Sequence, residues 1–396
     1  MIKNKKPQGD FTMTHTSKTI KPGVSLSLSI LLVVLFMHSG VYADAGMVVI
    51  TEGFSGSWVN GLSDEGSIAA GTLITGINED FADDEVFIWN ETDGVTPLGY
   101  LDGQGVSSTY GISPDGLRIF GRGLNDTFLT WTSAGGMQEF ITSGRLTALS
   151  DNGSVAVGHS ILSSDPPVEA ITSAGGVITR LGILSTTSGF PKSIAWAVSS
   201  DGTVVVGETT SDLTASQSDP EAFRWTQSGM VGLGIDVEVE GVDVTQRRTR
   251  AITVSPSGDI IGGFSTSYVD SVWSHHIFIW TQATGMVSVM SSPNEMEIIG
   301  MSDDASVIVG RVLDIEGAWQ HFRWTEAGGM QAIFEWLSEA GVDTNPWTSA
   351  SVTTVSADGN TIGGQLEDSN NSFNRRAFIA HVINDVVHAD GFEDQP

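Results

Sequence analysis

Four groups of residues in this chain have types and spacings that could do chemistry. Asp80, Asp83, Asp84 and Glu85 crowd eight residues, Asn78 to Glu85, with enough carboxylate oxygen to ligate a Ca²⁺. They lack the Asp-x-Asp-x-Asp-Gly order of a calcium loop, so a solvated acidic loop is the competing reading. His275 and His276 follow Trp273 and could ligate a metal, although adjacent strand residues face opposite ways. Arg247, Arg248 and Arg250 could bind an anionic group or form salt bridges to acidic neighbours. Trp58, Trp273, Trp319 and Trp347 stand in expected long loops, where they either stack on a carbohydrate or protein ligand or anchor their loops. No catalytic residue and no cofactor-binding residue can be named. The chain has no Gly-x-Ser-x-Gly elbow, no His-Glu-x-x-His and no phosphate-binding Gly loop. Scattered carboxylates could still pair in space as in a glycosidase.

The elements that must position these groups come from an internal repeat. Ala195 to Ser199 runs into the turn Ser200-Asp201-Gly202, and Thr203 to Val206 returns as a β-branched strand. Phe223 and Trp225 alternate with Ala222 and Arg224 in a third strand, then Ser228-Gly229 turns into a fourth, Met230 to Ile235. The first turn recurs at Ser63, Ser113, Ser150, Ser199, Ser255, Ser302 and Ser356, seven copies 37 to 56 residues apart. The third strand recurs around Trp89, Trp131, Trp225, Trp280 and Trp324, and these tryptophans follow the repeat, which marks them as core.

The last repeat ends after its third strand, Ala377 to Val382, and an orphan Gly46-Met-Val-Val-Ile50 precedes the first. The expected fold is therefore all-β: a seven-bladed β-propeller of four-stranded antiparallel blades, closed by an N-terminal strand that completes the last blade. An open β-solenoid is the alternative. The Ser-x-Asp-Gly turns differ from sialidase Asp-boxes, because Gly directly follows Asp and no aromatic lies beyond it. The long connections all fall on one face, opposite the tight turns, as for a recognition surface. Ile333, Trp336, Leu337 and Ala340 have the spacing of a short amphipathic helix.

Glu221-Ala-Phe-Arg-Trp-Thr226 with Gly229-Met230, His321-Phe-Arg-Trp-Thr325 with Gly328-Gly-Met330, and Arg376-Ala-Phe378 resemble the HAF family of extracellular repeats. The stretch Glu335 to Val342 is similar to that family as well, and the likeness covers nearly all of residues 46–382. The first His of the family's name is absent from all three segments. The resemblance implies a secreted or surface protein of bacteria and brings no agreed activity.

Composition sets further bounds. The chain has 396 residues, 47 Gly and no Cys, which suits a turn-rich all-β protein without disulfides or thiolate metal sites. Residues 1–43 read as a signal peptide: Lys3, Lys5, Lys6, Lys18 and Lys21, then apolar Val24 to Phe36, then Val41-Tyr-Ala43 before a cleavage point at Asp44. Met13 is an alternative start, and an uncleaved anchor is the competing reading. The whole chain carries 18 Lys and Arg against 47 Asp and Glu; removing five Lys and one acid leaves 13 against 46, a formal charge of −33. Such a field repels phosphate backbones, so nucleic acid is not an expected partner. Residues 44–386 are expected to form the propeller and residues 387–396 an acidic tail, whose Asp-Gly-Phe-Glu resembles an ending of some exported proteobacterial proteins. The expected protein is a monomer of a Gram-negative bacterium, periplasmic or extracellular, with attachment to the surface as an option and no transmembrane segment after cleavage. It would bind protein or glycan at the cell exterior with its long-loop face and need no cofactor, Ca²⁺ at residues 80–85 aside. A secreted glycan-active hydrolase or lyase with an axial carboxylate site is the alternative.

Overall fold

In the computed structural model the described residues are 45–50, 56–74, 84–100, 107–123, 127–139, 144–161, 168–185, 190–213, 219–235, 244–269, 272–368 and 371–382. The signal-peptide segment 1–43, the tail 387–396, and Asp80 and Asp83 lie outside them.

Each repeat folds as four antiparallel strands joined by the expected turns. The Asp-Gly turns work through a shared hydrogen-bond set. Ser199 Oγ accepts the Val204 N–H at 3.0 Å and donates to Asp201 Oδ1 at 2.8 Å. Gly202 sits at φ 76°, a conformation that a Cβ would strain. Ser113, Ser150, Ser302 and Ser356 repeat this arrangement with Asp115, Asn152, Asp304 and Asp358.

The fold is a β-propeller, with a correction to its expected form. Among the described residues five four-stranded blades stand by themselves, not seven: they span 107–139, 145–180, 193–234, 244–292 and 296–332. The first and last repeats share one eight-stranded sheet instead. The physical reason lies in the strand Asn371–Val382, which is longer than the terminal strand Ala45–Ile50 that pairs with it. That pairing covers Ala377 to Val382, with Met47 opposite Ala380 and Ile50 opposite Ala377. Beyond it, Gly56 of the first repeat bridges Arg375 in parallel and joins the two sheets. The N-terminal strand thus completes the last repeat, as its Gly-Met pattern predicts.

Seven strands, one from each repeat, line the axis: Gly56–Leu62, Ser107–Ile112, Arg145–Leu149, Ser193–Val198, Val244–Val254, Met296–Met301 and Ser349–Val355. Each contacts the next, and the last contacts the first. Hydroxyls bond one repeat to its neighbour. Ser193 Oγ accepts the Ala170 N–H at 2.9 Å, Thr249 Oγ1 that of Ala222 at 2.8 Å, and Ser57 Oγ that of Ala377 at 2.8 Å. The core lies between neighbouring sheets. Phe87, Phe223, Phe278, Phe322 and Phe378, the third-strand phenylalanines, are its largest fully buried side chains. Trp89 and Trp280 are buried, and Trp131, Trp225 and Trp324 pack part-buried on three further hydrophobic clusters, in agreement with a core role. The helix Ile333–Glu339 buries Ile333, Trp336 and Leu337 against the last repeat.

Candidate axial site

The geometry of the axis starts from one bulge per repeat. In every inner strand the ladder slips by one residue, at Asn60, Tyr110, Thr147, Trp196, Ile252, Ile299 and Thr353. Each lies three residues before the Ser of its turn. A bulge bends its strand and pushes a backbone carbonyl toward the second strand. Glycine answers it there: a Cβ on Gly207 would lie 2.0 Å from the Ile194 carbonyl oxygen. Two bulge side chains cross to the next inner strand. Thr147 Oγ1 donates to the Ala195 carbonyl at 2.8 Å, and Thr353 Oγ1 donates to that of Val59.

Between four of these strands lies a cavity of about 570 Å³, lined in part by Trp196, Arg250, Phe264, Glu297, Arg311 and His321. Its size is that of an ordinary small-ligand pocket. Arg250 and Glu297 stand two residues before their bulges, away from the tight turns, so the cavity belongs to the long-loop end of the axis.

Ion pairs organise its walls. Arg250 pairs with Glu208, whose side chain is only 3% exposed and also holds Lys192 Nζ at 3.3 Å. Arg311 Nε donates to Glu297 Oε2 at 2.8 Å, and its guanidinium lies 4.3 Å from the Trp319 ring centre. His321 Nδ1 accepts the Val352 N–H at 3.1 Å, which leaves the ring proton on Nε2. Burial, with the Arg311 charge as a smaller cause, lowers its pKa to about 4. The imidazole is therefore neutral at neutral pH, with its remaining N–H on Nε2 as a potential donor. The buried indole N–H of Trp196 and the buried Nδ1 of His159 find no partner among the described residues.

The opposite end of the axis is acidic. The turns are strung together by backbone bonds from Ala357 N to Asp64 O, Asp64 N to Pro114 O, Asp151 N to Ser200 O, Ser200 N to Pro256 O and Asp303 N to Ala357 O. Pro114 and Pro256 lack the N–H that would continue the series. Partial burial, then the carboxylates of Asp303, Asp151, Asp115 and Glu65, raise the pKa of Asp64 to about 6. Asp151 and Asp303 are raised as well, chiefly by burial.

The structure brings together only part of the set anticipated from sequence. Arg250 reaches the axial cavity. Arg248 lies 5.9 Å from the Trp273 ring centre, and Arg247 is on the same strand, Val244–Val254. Trp273 is exposed and packs tilted against Tyr268, with ring centres 4.8 Å apart, on a hairpin whose strands run to Val269 and from Val272. Trp58 and Trp319 are strand residues too, near the start of Gly56–Leu62 and of Trp319–Thr325. Trp347 does lie in a loop, packed part-buried on the helix cluster. His276 contacts the hydroxyls of Ser274 and Ser288, and His275 Nδ1 that of Thr266. Glu85 Oε1 accepts the Gly99 N–H at 2.9 Å, and Asp84 begins the same strand. Among the described residues no group of three His, Asp or Glu is placed to hold a metal ion. Nor is any described helix long and apolar enough to cross a membrane.

Sequence reading missed Trp196, Glu208, Glu297, Arg311 and His321. A signal existed for two of them, since Trp196 and Glu297 stand three and five residues before the turn serines Ser199 and Ser302.

No family profile matches the sequence, and no curated protein matches it. Solved structures do resemble it. An oligogalacturonate lyase in complex with manganese aligns over 85% of this chain and 90% of its own, with TM-score 0.54 and 12% identity. An oligogalacturonate lyase from Vibrio parahaemolyticus aligns over 86% of this chain and 97% of its own, with TM-score 0.54 and 13% identity. The β-propeller domain of Cps50 (Swd1) from Myceliophteria thermophila gives 85%, 98%, 0.51 and 12% in the same order. At these identities the likeness establishes the propeller fold and nothing finer.

Proposed function

We propose that this protein is an exported bacterial binding module of the HAF type, secreted or held at the envelope. Its axial cavity, at the long-loop end of the propeller, would receive a small polar ligand or the end of a glycan. The observation that carries this reading is the state of the groups in and directly behind the cavity wall. Glu297 in the wall and Glu208 behind it are both held by cations, and the His321 lone pair is occupied by a backbone N–H. The cavity therefore presents hydrogen-bond donors and aromatic faces, the means of holding a ligand, without an unpaired acid and base. The test is a glycan array with residues 44–396, repeated with Trp196→Ala and Arg311→Ala. Selective binding lost in both variants supports the reading, and binding unchanged in both rejects the axial site.

A second reading is a glycan-active lyase or hydrolase, favoured by the convergence of Glu297, Arg311 and His321 in one cavity. The resemblance to oligogalacturonate lyases suggests the first substrate to try. Ultraviolet absorbance from an unsaturated product after incubation with oligogalacturonate would replace the binding reading with this one. The absence of product, with binding retained, would reject it for that substrate.

A further inference from the structure

The ligand class can be narrowed by charge, on the assumption that the axial cavity is the binding site. The chain as a whole holds 47 acidic and 18 basic residues. At the cavity this balance inverts. Lys192, Arg250 and Arg311 outnumber Glu208 and Glu297, and the ion pairs tie all five groups to the cavity wall or directly behind it. The other end of the axis carries the mutually repelling Asp64, Asp151 and Asp303.

We propose that the axial cavity selects a sugar ring bearing a carboxylate, with Arg250 and Arg311 facing the carboxylate and Trp196 and Phe264 lining the ring. Four observations support it. A single excess positive charge in the wall matches one carboxylate, whereas a phosphate dianion would need more. A guanidinium already fixed by a carboxylate offers its remaining N–H groups in a set geometry, at little further cost in side-chain entropy. Both guanidiniums are so fixed, and Arg250 also lies 5.7 Å from the Phe264 ring centre. The indole N–H of Trp196 is buried and has no partner among the described residues, so a ring hydroxyl that drew it toward the cavity would satisfy a donor that is costly to leave unmet. The cavity, about 570 Å³, has room for a sugar rather than a lone small ion. An acidic exterior around a locally basic pocket also slows the approach of anions, so selectivity would show in equilibrium affinity more than in association rate.

The experiment titrates the full chain with D-glucuronate, D-glucose and acetate, reading tryptophan fluorescence and calorimetric heat. D-glucuronate should bind roughly tenfold or more tightly than D-glucose, the effect of one charged hydrogen bond. Arg250→Gln and Arg311→Gln should each erase that preference, and salt should weaken D-glucuronate binding alone. Trp196→Phe keeps the aromatic ring and should weaken both sugars several-fold, which tests the site should an Arg variant fold poorly. Equal affinity for D-glucose and D-glucuronate would overturn the charge inference while leaving a binding pocket in place. Acetate binding as tightly as D-glucuronate would overturn the sugar half. No response to any of the three would overturn the inference, and the glycan array then decides separately whether the binding reading survives.

Discussion

Arg250 meets Glu208 across the boundary between two neighbouring four-stranded sheets, and Lys192 holds the same carboxylate from the other side. Glu208 is almost fully buried, while each cation keeps 33% of its side chain in solvent. Replacing Glu208 by Ala leaves two cations without their partner at the axis. The expected cost is roughly 2–3 kcal/mol, below the 3–5 typical of a fully buried pair, because both cations can turn toward water. Urea denaturation of Glu208→Ala measures it, and no loss of stability would show that the pair contributes nothing.

Closure of the ring gives a second prediction. Ile50 is 5% exposed and packs with Ala377 and Ile379 of the last strand. Ile50→Ala should cost about 2–4 kcal/mol, as for other buried large-to-small changes. Deleting residues 45–50 should cost more and produce oligomers through the uncovered edge of Asn371–Val382. Size-exclusion chromatography of the deletion reads the oligomers; a stable monomer would contradict the role of that strand.

The sixth Asp-Gly turn departs from the others, with Ala305 at φ 57° where the rest carry Gly. A left-handed Ala costs roughly 1–2 kcal/mol, and Gly returns part of this as chain entropy. Ala305→Gly should therefore stabilise by about 0.5–1 kcal/mol, seen as a raised denaturation midpoint. In contrast, Gly359→Ala places a Cβ 2.5 Å from Val307 Cγ2 at φ 74° and should destabilise.

Asp64 ties stability to pH. Its folded pKa of about 6 exceeds the ordinary carboxyl value of 3.8, so the folded state binds the proton more tightly. That contribution is complete below pH 3.8 and disappears as the pH rises through about 6. Asp64→Asn should flatten this part of the stability–pH curve and raise stability at neutral pH. An NMR titration of the carboxyl reads the pKa directly.

His321 acts in the opposite sense. A pKa of about 4, against 6.5 unfolded, means that stability from the neutral ring is present above pH 6.5 and is lost as the pH falls toward 4. His321→Gln should remove this acid sensitivity, which thermal melts across that range would show.

Local chemistry made much of this fold readable in one dimension. Asp201-Gly202 and its counterparts are turns because of their own φ preference and hydroxyl bonds, which involve only a few neighbouring residues. Phe223 and Trp225 declare a strand by alternation, and the unmatched Met47 to Ile50 announced its pairing by repeating a pattern missing at the other end. What tertiary structure decided lies where that locality fails. The joining of the first and last repeats depends on Gly56 meeting Arg375, a consequence of how far one strand outruns its partner. Trp58, Trp273 and Trp319 look like loop residues by polarity, yet strand pairing from neighbours holds them extended. Above all, Arg250 and Glu208, or His321 and the Val352 N–H, come from different repeats, and only the closed ring brings them together. Turn and strand preferences act over a few residues and are written in the sequence, whereas ion pairs at an axis depend on distances that the whole ring sets.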